Sequence, residues 1–182
     1  MNVIELIDAT GHVLRKIDVP YAIGGAIALG YHAEPRSTID LDLNVFVRIS
    51  RAAQVVDAFE PLGLRPERPA EQWMPAAGVR LAQSDDRAVV DLFFSLDDTY
   101  DAILGRCIEQ PFGPDGAMVP VLSAEDLVVF KLSFGRPKDW VDLDALVRTG
   151  SVLDVDGIER TLIALRGPTI YPRIARFRSM IA

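Results

Sequence analysis

Residues 21–47 read YAIGGAIALGYHAEPRSTIDLDLNVFV, and this stretch decides the fold. From Ile39 onward apolar and polar residues alternate, which predicts a strand over about 39–47. Side chains in a strand repeat every second residue, so Asp40 and Asp42 emerge from the same face. Two carboxylates at this separation repel each other unless a cation lies between them.

A Gly-Gly turn precedes this strand. Gly24 and Gly25 lie between a short apolar strand and a helix predicted over 26–31. Glycines at a strand-to-helix turn let backbone N–H groups approach an anion, and the helix N-terminus favours negative charge. Hard oxygen ligands such as Asp40 and Asp42 suit Mg²⁺ or Mn²⁺. A phosphate-binding turn beside metal-binding carboxylates therefore predicts nucleotidyl transfer.

A third carboxylate, Asp91, stands in a strong strand predicted over 88–94, on the same face as Val89 and Phe93. An ionised carboxylate on an apolar strand face is costly unless it is paired or binds a metal. We therefore expect Asp91 to be a third metal ligand, on a strand beside that of Asp40 and Asp42. The alternatives are an edge-strand aspartate that faces water and, for the pair, a solvated sheet face.

The run Arg36-Ser37-Thr38-Ile39-Asp40-Leu41-Asp42, after a Gly-Gly turn and a helix, resembles the signature of the DNA polymerase β-like nucleotidyltransferase superfamily. A later segment, from Leu122-Ser123-Ala124-Glu125-Asp126-Leu127 through Lys131 to Asp139, resembles its bacterial AbiEii-like branch, which includes toxin nucleotidyltransferases. The resemblance covers roughly residues 20–148.

The resemblance implies a mechanism with two metal ions, Mg²⁺ or Mn²⁺, held by Asp40, Asp42 and Asp91. One ion binds the triphosphate of an NTP. The other, with Asp91, lowers the pKa of the acceptor hydroxyl, whose oxygen attacks the α-phosphorus while pyrophosphate leaves. These three aspartates are the predicted catalytic residues.

Further residues are expected to contact the NTP. Lys131 falls on the apolar stripe of a helix, where it either snorkels to water or, as the resemblance implies, reaches the triphosphate. Asp139 either faces the nucleotide, as in similar proteins, or complements the dipole of a helix start. Arg36 either pairs with Asp40 or binds the γ-phosphate. The hydroxyls of Ser37 and Thr38 either bind phosphate or cap the turn. The predicted binding residues are Gly24, Gly25, Arg36, Ser37, Thr38, Lys131 and Asp139.

The fold class is expected to be α/β. A small mixed β-sheet forms a polymerase β-like core over residues 1–122, and a C-terminal helical segment over 123–182 packs on it. The other predicted elements are helices over 2–17, 51–61 and 97–106, an exposed loop over 65–78 near the site, a short strand over 79–81, a hairpin turn over 84–87, a Gly/Pro loop over 111–117, a strand over 119–122 and three or four final helices.

Composition limits the expected cellular location and the expected binding partners of the protein. With Cys107 as the single cysteine, no internal disulfide is possible, and a reducing cytoplasm is the simplest location. No apolar run approaches the length of a membrane span, and no leading segment is typical of a secretion signal. The net charge of −7 argues against tight nonspecific binding to nucleic acid.

The C-terminal helix is an exception to this acidic balance. It carries Arg173, Arg176 and Arg178 around an apolar stripe, and either it is an ordinary amphipathic helix or its arginines contact RNA phosphates. By resemblance, the acceptor is RNA, at the 3′ end of tRNA, and the protein is a toxin restrained by an antitoxin. Two alternatives stay open: the same chemistry on a small antibiotic-type molecule or a protein, and a non-catalytic antitoxin-like module.

Overall fold

The computed structural model describes residues 1–73, 77–84 and 88–181. Its helices are α1 (Val3–Lys16), α2 (Gly25–His32), α3 (Ala52–Ala58), α4 (Thr99–Leu104), α5 (Ala124–Phe134), α6 (Pro137–Arg148), α7 (Val155–Arg166) and α8 (Tyr171–Ile181). Its strands are β1 (Tyr21–Ile23), β2 (Asp40–Arg48), β3 (Arg65–Pro66), β4 (Gly78–Ala82), β5 (Val89–Ser95), β6 (Ile108–Phe112) and β7 (Ala117–Val121).

These strands form one mixed sheet in the order β3-β4-β5-β2-β1-β7-β6. The pairs β2–β5 and β1–β7 are parallel, and the other neighbours are antiparallel. The predicted α/β class with a mixed sheet is therefore confirmed. The predicted hairpin turn over 84–87 falls largely on residues 85–87, which lie outside the described residues, as do residues 74–76 of the predicted loop.

The alternation in β2 separates core from site. Leu41, Leu43 and Val45 are fully buried on one face, while Asp40 and Asp42 lie on the other. Helix α2 ends at His32, shortly before Pro35, whose ring disfavours continuation. The polar side of β2 faces the Gly-Gly turn and residues of α5 and α6, because Asp42 and Asn44 share a cleft with Gly25, Lys131 and Lys138.

Helices α5 to α8 complete the chain. Ser123 caps α5 by accepting a hydrogen bond from the Asp126 N–H, and Gly135 ends it in a left-handed conformation. One apolar cluster joins these helices to the sheet, and it includes Leu41, Val90, Leu127, Leu143, Leu162 and Phe177. The division predicted after residue 122 thus separates two regions that share a core.

The outer strands are short or interrupted by proline. β3, at one edge, has two residues and contains Pro66; β6, at the other, contains Pro111. β6 was not predicted: residues 108–112 pair with 117–121, so the Gly/Pro loop expected over 111–117 is the four-residue turn between these strands. No helix among the described residues is long and apolar enough to cross a membrane.

Candidate active site

Polar residues of three neighbouring strands form one row across the sheet. Arg80 of β4 lies opposite Asp91 of β5, and Asp91 lies beside Asp42 of β2. On the far side of Asp42, its carbonyl oxygen accepts a 2.9 Å hydrogen bond from the Gly24 N–H. Because residues in register on neighbouring strands share a face and lie about 4.8 Å apart, the sheet itself assembles these groups.

Arg80 ties together carboxylates from two strands. Its Nη1 donates to Asp91 Oδ2 at 2.7 Å and its Nη2 to Asp40 Oδ1 at 3.2 Å, while Nε lies 3.5 Å from Glu67 Oε1. The alternation of Val79-Arg80-Leu81 indicated a strand here, but not the strand that Arg80 would face. A guanidinium therefore already neutralises part of the predicted catalytic cluster.

Asp42 is the least compensated carboxylate of the row. Burial, and next the charge of Asp91, raise its pKa to about 6, although Lys138 and Arg136 act in the opposite direction. Burial also raises the pKa of Asp91, against the attraction of Arg80. Burial and the neighbouring charge of Asp91 therefore leave ionised Asp42 poorly compensated, which is the condition that a bound cation would relieve.

A narrow cleft of about 40 Å³ opens beside Asp42. Four of the predicted binding residues line it: Gly25, Arg36, Lys131 and Asp139. Arg136, Lys138, Asn44, Phe93 and Phe134 also line it. Gly25 of the Gly-Gly turn, Asp42 of β2 and the start of α6 therefore meet at one cleft.

Lys131 and Arg36 share one buried partner, Asp142. The Lys131 Nζ donates to Asp142 Oδ2 at 2.5 Å, and Arg36 donates to both oxygens, at 2.7 and 2.9 Å. The side chains of Lys131 and Asp142 are only 5% and 2% exposed. Burial alone would raise the pKa of Asp142, but the hydrogen bonds from Arg36 and Lys131 lower it. Lys131 thus neither snorkels to water nor stands free in the cleft.

Asp139 caps the start of α6 and binds the side chain of Arg136. Its carboxylate accepts hydrogen bonds from the backbone N–H of Arg136 at 2.9 Å and from the Arg136 Nε at 2.8 Å. The Arg136 guanidinium also lies 4.8 Å from the centre of the Phe134 ring. Asp139 therefore holds Arg136 at the cleft, and its side chain is otherwise buried.

A family model described as "Nucleotidyl transferase AbiEii toxin, Type IV TA system" matches residues 22–175, which include the whole row and the cleft. The chain belongs to this AbiEii family. It is therefore a nucleotidyltransferase, and membership implies an NTP as substrate and an antitoxin as partner. No curated protein sequence matches the chain significantly.

Solved structures share the fold of this AbiEii-family chain. The antibiotic-resistance factor ANT(2″)-Ia is 19% identical, with a TM-score of 0.54 over 97% of this chain and 91% of that one. The lincosamide antibiotic adenylyltransferase LnuA, bound to lincomycin, is 16% identical, with a TM-score of 0.51 over 78% and 94%. An antigenic nucleotidyltransferase-like protein from Paracoccidioides brasiliensis is 14% identical, with a TM-score of 0.51 over 94% and 91%. At these identities the likeness shows the fold alone.

Not every predicted binding residue of the AbiEii-family chain reaches the cleft. Gly24, Ser37 and Thr38 do not line it, although the Gly24 N–H bonds to the Asp42 carbonyl oxygen. The Thr38 hydroxyl instead bonds at 3.2 Å to the backbone N–H and carbonyl of Asp40, at the first residue of β2. Arg36 contacts Asp142 where the sequence offered Asp40 as its protein partner. Phosphate contacts by Ser37 and Thr38 stay a prediction.

The C-terminal arginines of the AbiEii-family chain are engaged within the protein. Arg173 donates to the carbonyls of Leu132 and Ser133 at the end of α5, at 2.8 and 2.6 Å. Arg178 pairs with Asp156 and Glu159, and the Arg176 guanidinium lies 3.8 Å from the centre of the Trp140 ring. These contacts favour the ordinary amphipathic helix over the RNA-binding face that the sequence left open.

A divalent cation would take its ligands from Asp42 and Asp91 of the row and from Asp40, two residues before Asp42 on β2. Among residues 1–73, 77–84 and 88–181, no group of three or more His, Cys, Asp or Glu side chains encloses a metal position. The chemistry nevertheless fits: Asp42 and Asp91 are register neighbours, Asp40 lies on the same face, and burial raises the pKa of two of the three. Asp40, Asp42 and Asp91 are the residues that would hold the cation.

A Gly25→Ala variant should test how closely the turn and Asp42 are packed. Gly25 has φ +57°, and an added Cβ would lie 1.7 Å from Asp42 Oδ2. We expect a loss of stability well beyond the ~1–2 kcal/mol of an alanine in left-handed backbone, together with loss of transfer activity. Urea unfolding and a transfer assay measure the two effects.

Gly116→Ala is the matched control, because Gly116 has φ +63° and a Cβ added there would have nothing within 4 Å. Equal unfolding midpoints for the two variants, with Gly25→Ala still active, would mean that Asp42 can move away at no cost.

Proposed function

We propose that this chain is a Mg²⁺-dependent toxin enzyme that transfers a nucleoside monophosphate from an NTP to the 3′-terminal hydroxyl of an RNA, with tRNA as the favoured acceptor. The observation that carries the proposal is the row in which Asp42 and Asp91 lie side by side next to the Gly-Gly turn, in a chain of this family. NTPs and tRNA meet in the cytoplasm, where we place the activity.

The carboxylates do the chemistry in this proposal. Bound Mg²⁺ supplies charge stabilisation for the transferring phosphoryl group. Burial raises the pKa of Asp91, so its carboxylate accepts the proton of the acceptor hydroxyl more readily than an exposed aspartate would. A bond then forms between that oxygen and the α-phosphorus, and the bond from the α-phosphorus to the pyrophosphate oxygen breaks with its electron pair.

Four cations line the nucleotide side of the cleft: Arg36, Lys131, Arg136 and Lys138. Two are held by Asp142, whereas Lys138 and Arg136 lie close enough to Asp42 to oppose the rise in its pKa. Because the cleft measures only about 40 Å³, we expect the triphosphate to bind as Lys138 moves outward from it, while Asp139 holds Arg136 in place. Arg36 and Lys131 then contribute positive charge from a fixed wall.

The second candidate is transfer to a cationic antibiotic-type molecule. The net charge of −7 favours it, because an acidic protein attracts cations. The contacts around Asp91 disfavour it, since Arg80 lies directly against that carboxylate and would repel a cationic acceptor.

The test is incubation with each α-labelled NTP, Mg²⁺ and either total tRNA or tobramycin. We expect label in the RNA with the wild-type protein, and none with EDTA or with Asp42→Asn. Label in tobramycin alone would replace the RNA proposal with the second candidate. Absence of label from every acceptor, in a protein that still binds NTP, would contradict both.

A further inference from the structure

A second pocket of about 360 Å³ opens at the β4 end of the polar row, whereas the narrow cleft lies at its β1 end. Asp91 lines this pocket, and Phe93 and Arg136 line both spaces. The Phe93 ring therefore lies at the boundary between them, and the Phe134 ring, which lines only the narrow cleft, is 5.5 Å from it between centres. We call the second pocket the Trp73 pocket, after the tryptophan that lines it with Glu67, Arg68, Gln72 and Arg80.

The Trp73 pocket has the size and the aromatic group of a ligand site. Its volume lies within the range of about 300–1,000 Å³ that small-molecule sites have. The Trp73 Nε1–H donates to the Arg68 carbonyl oxygen at 2.9 Å, which fixes the ring within its own loop. The ring is partly buried against the apolar core, and the part of it that lines the pocket offers a ligand an apolar surface, which suits a nucleobase.

One exposed guanidinium of the pocket can contact an anionic group of a ligand. Three guanidinium groups line it, from Arg68, Arg80 and Arg136, against the two carboxylates of Glu67 and Asp91. Arg80 is held by Asp91 and Asp40, and Arg136 by Asp139, whereas Arg68 is exposed at the rim. Because the other two guanidinium groups are held by carboxylates, Arg68 is the group of this lining that we expect to contact a phosphate diester of the acceptor.

We propose that the Trp73 pocket binds the 3′-terminal nucleotide of the RNA acceptor, with the base against Trp73, the adjoining phosphate at Arg68 and the terminal hydroxyl at Asp91. This inference rests on the proposed function and adds to it the place and the means of acceptor recognition. It also accounts for RNA binding without the C-terminal arginines, whose contacts lie within the protein.

Tryptophan fluorescence tests the pocket directly. The chain has two tryptophans, so Trp140→Phe leaves Trp73 as the single emitter while keeping a ring beside Arg176. We would titrate this protein with a single-stranded RNA oligonucleotide ending in CCA-3′ and, separately, with tobramycin. We expect quenching by the RNA and none by tobramycin.

Arg68→Gln in the same background should lower the affinity for the RNA. The slope of log K against log salt concentration should become less negative by about 0.7, which is the value for one lost phosphate contact to a single strand. Arg65→Gln is the matched control, because Arg65 is an exposed arginine of the same segment that pairs with Glu60 and does not line the pocket. We expect that variant to bind RNA with the affinity of its parent.

The variants Trp73→Ala and Trp73→Phe distinguish an effect on acceptor binding from an effect on NTP binding. The alanine variant should raise the KM for tRNA about 5- to 100-fold, as loss of base stacking does elsewhere, with the KM for NTP unchanged. The phenylalanine variant should recover most of that loss, which a merely structural role would not predict.

Two results would overturn the inference. An unquenched Trp73 in a protein that still labels tRNA would place the acceptor elsewhere and leave the proposed function standing. Quenching by tobramycin but not by RNA would overturn both.

Discussion

Asp42→Asn is expected to abolish nucleotidyl transfer, by about 10³-fold or more, and at the same time to unfold at a higher urea concentration than the wild type at pH 8. The activity falls because a proposed metal ligand loses its charge. The stability rises because burial and the charge of Asp91 raise the pKa of Asp42 to about 6 in the folded protein. A carboxyl whose pKa is higher in the folded state opposes folding wherever it must be ionised.

The sign of the pH dependence follows from the same shift. The ordinary pKa of an aspartate is 3.8 and the folded value about 6, so ionising Asp42 costs the native state at most about 3 kcal/mol above pH 6. This cost shrinks as the pH falls from 6 to 4 and vanishes below the unfolded pKa. The advantage of Asp42→Asn should therefore be full at pH 8, reduced at pH 5 and absent near pH 3.5.

Urea unfolding in EDTA at these three pH values measures the effect, with the transfer assay run in parallel. Asp115→Asn, at an exposed turn position, is the control and should change neither quantity. An Asp42→Asn protein that is less stable at pH 8 and fully active would remove Asp42 from the proposed site.

Asp142→Asn is expected to give the largest loss of stability, about 3–5 kcal/mol. It leaves the Lys131 ammonium, whose side chain is 5% exposed, facing a neutral amide, and it frees Arg36 from its bidentate contact. Because the cleft wall then loses its fixed cations, the KM for NTP should rise as well. Urea unfolding and steady-state kinetics across NTP concentrations measure the two effects.

An exposed ion pair on the same helix provides the control. Asp144 pairs with Arg148 at 2.7 Å, with side chains 50% and 78% exposed, so Asp144→Asn should cost less than about 1 kcal/mol. The double variant Lys131→Met/Asp142→Leu should regain stability without regaining NTP use, since apolar residues can replace a buried ion pair. Equal destabilisation by Asp142→Asn and Asp144→Asn would contradict the buried network.

The sequence predicted the groups that local patterns encode. Alternation in β2 placed Asp40 and Asp42 on one face, and the Gly-Gly turn placed a helix start beside them. The predicted neighbour relation between the strand of Asp91 and β2 is confirmed, because Asp42 and Asp91 lie in register. What these residues do in catalysis stays a prediction.

Partners distant in sequence could not be predicted in the same way. Arg36 and Asp142 are 106 residues apart, and nothing in either segment specifies the other. Arg80 reaches Asp91 only through the register of β4 on β5, which no local pattern fixes. Arg173 was open to RNA on the sequence alone, since its contact with the end of α5 depends on how α8 packs. Packing between elements, rather than local propensity, decides these contacts.

Each edge strand of the sheet contains a proline, and this limits how another protein can inhibit this one by contact. Exposed strand edges invite a further strand, but β3 has only two residues, and Pro66 and Pro111 lack the N–H that a ladder needs. We therefore expect the described sheet neither to extend into a neighbouring copy nor to accept a strand from an antitoxin. We expect a protein that inhibits by contact to bind through side chains, and at the openings beside Asp42 and Asp91 it would compete with substrate.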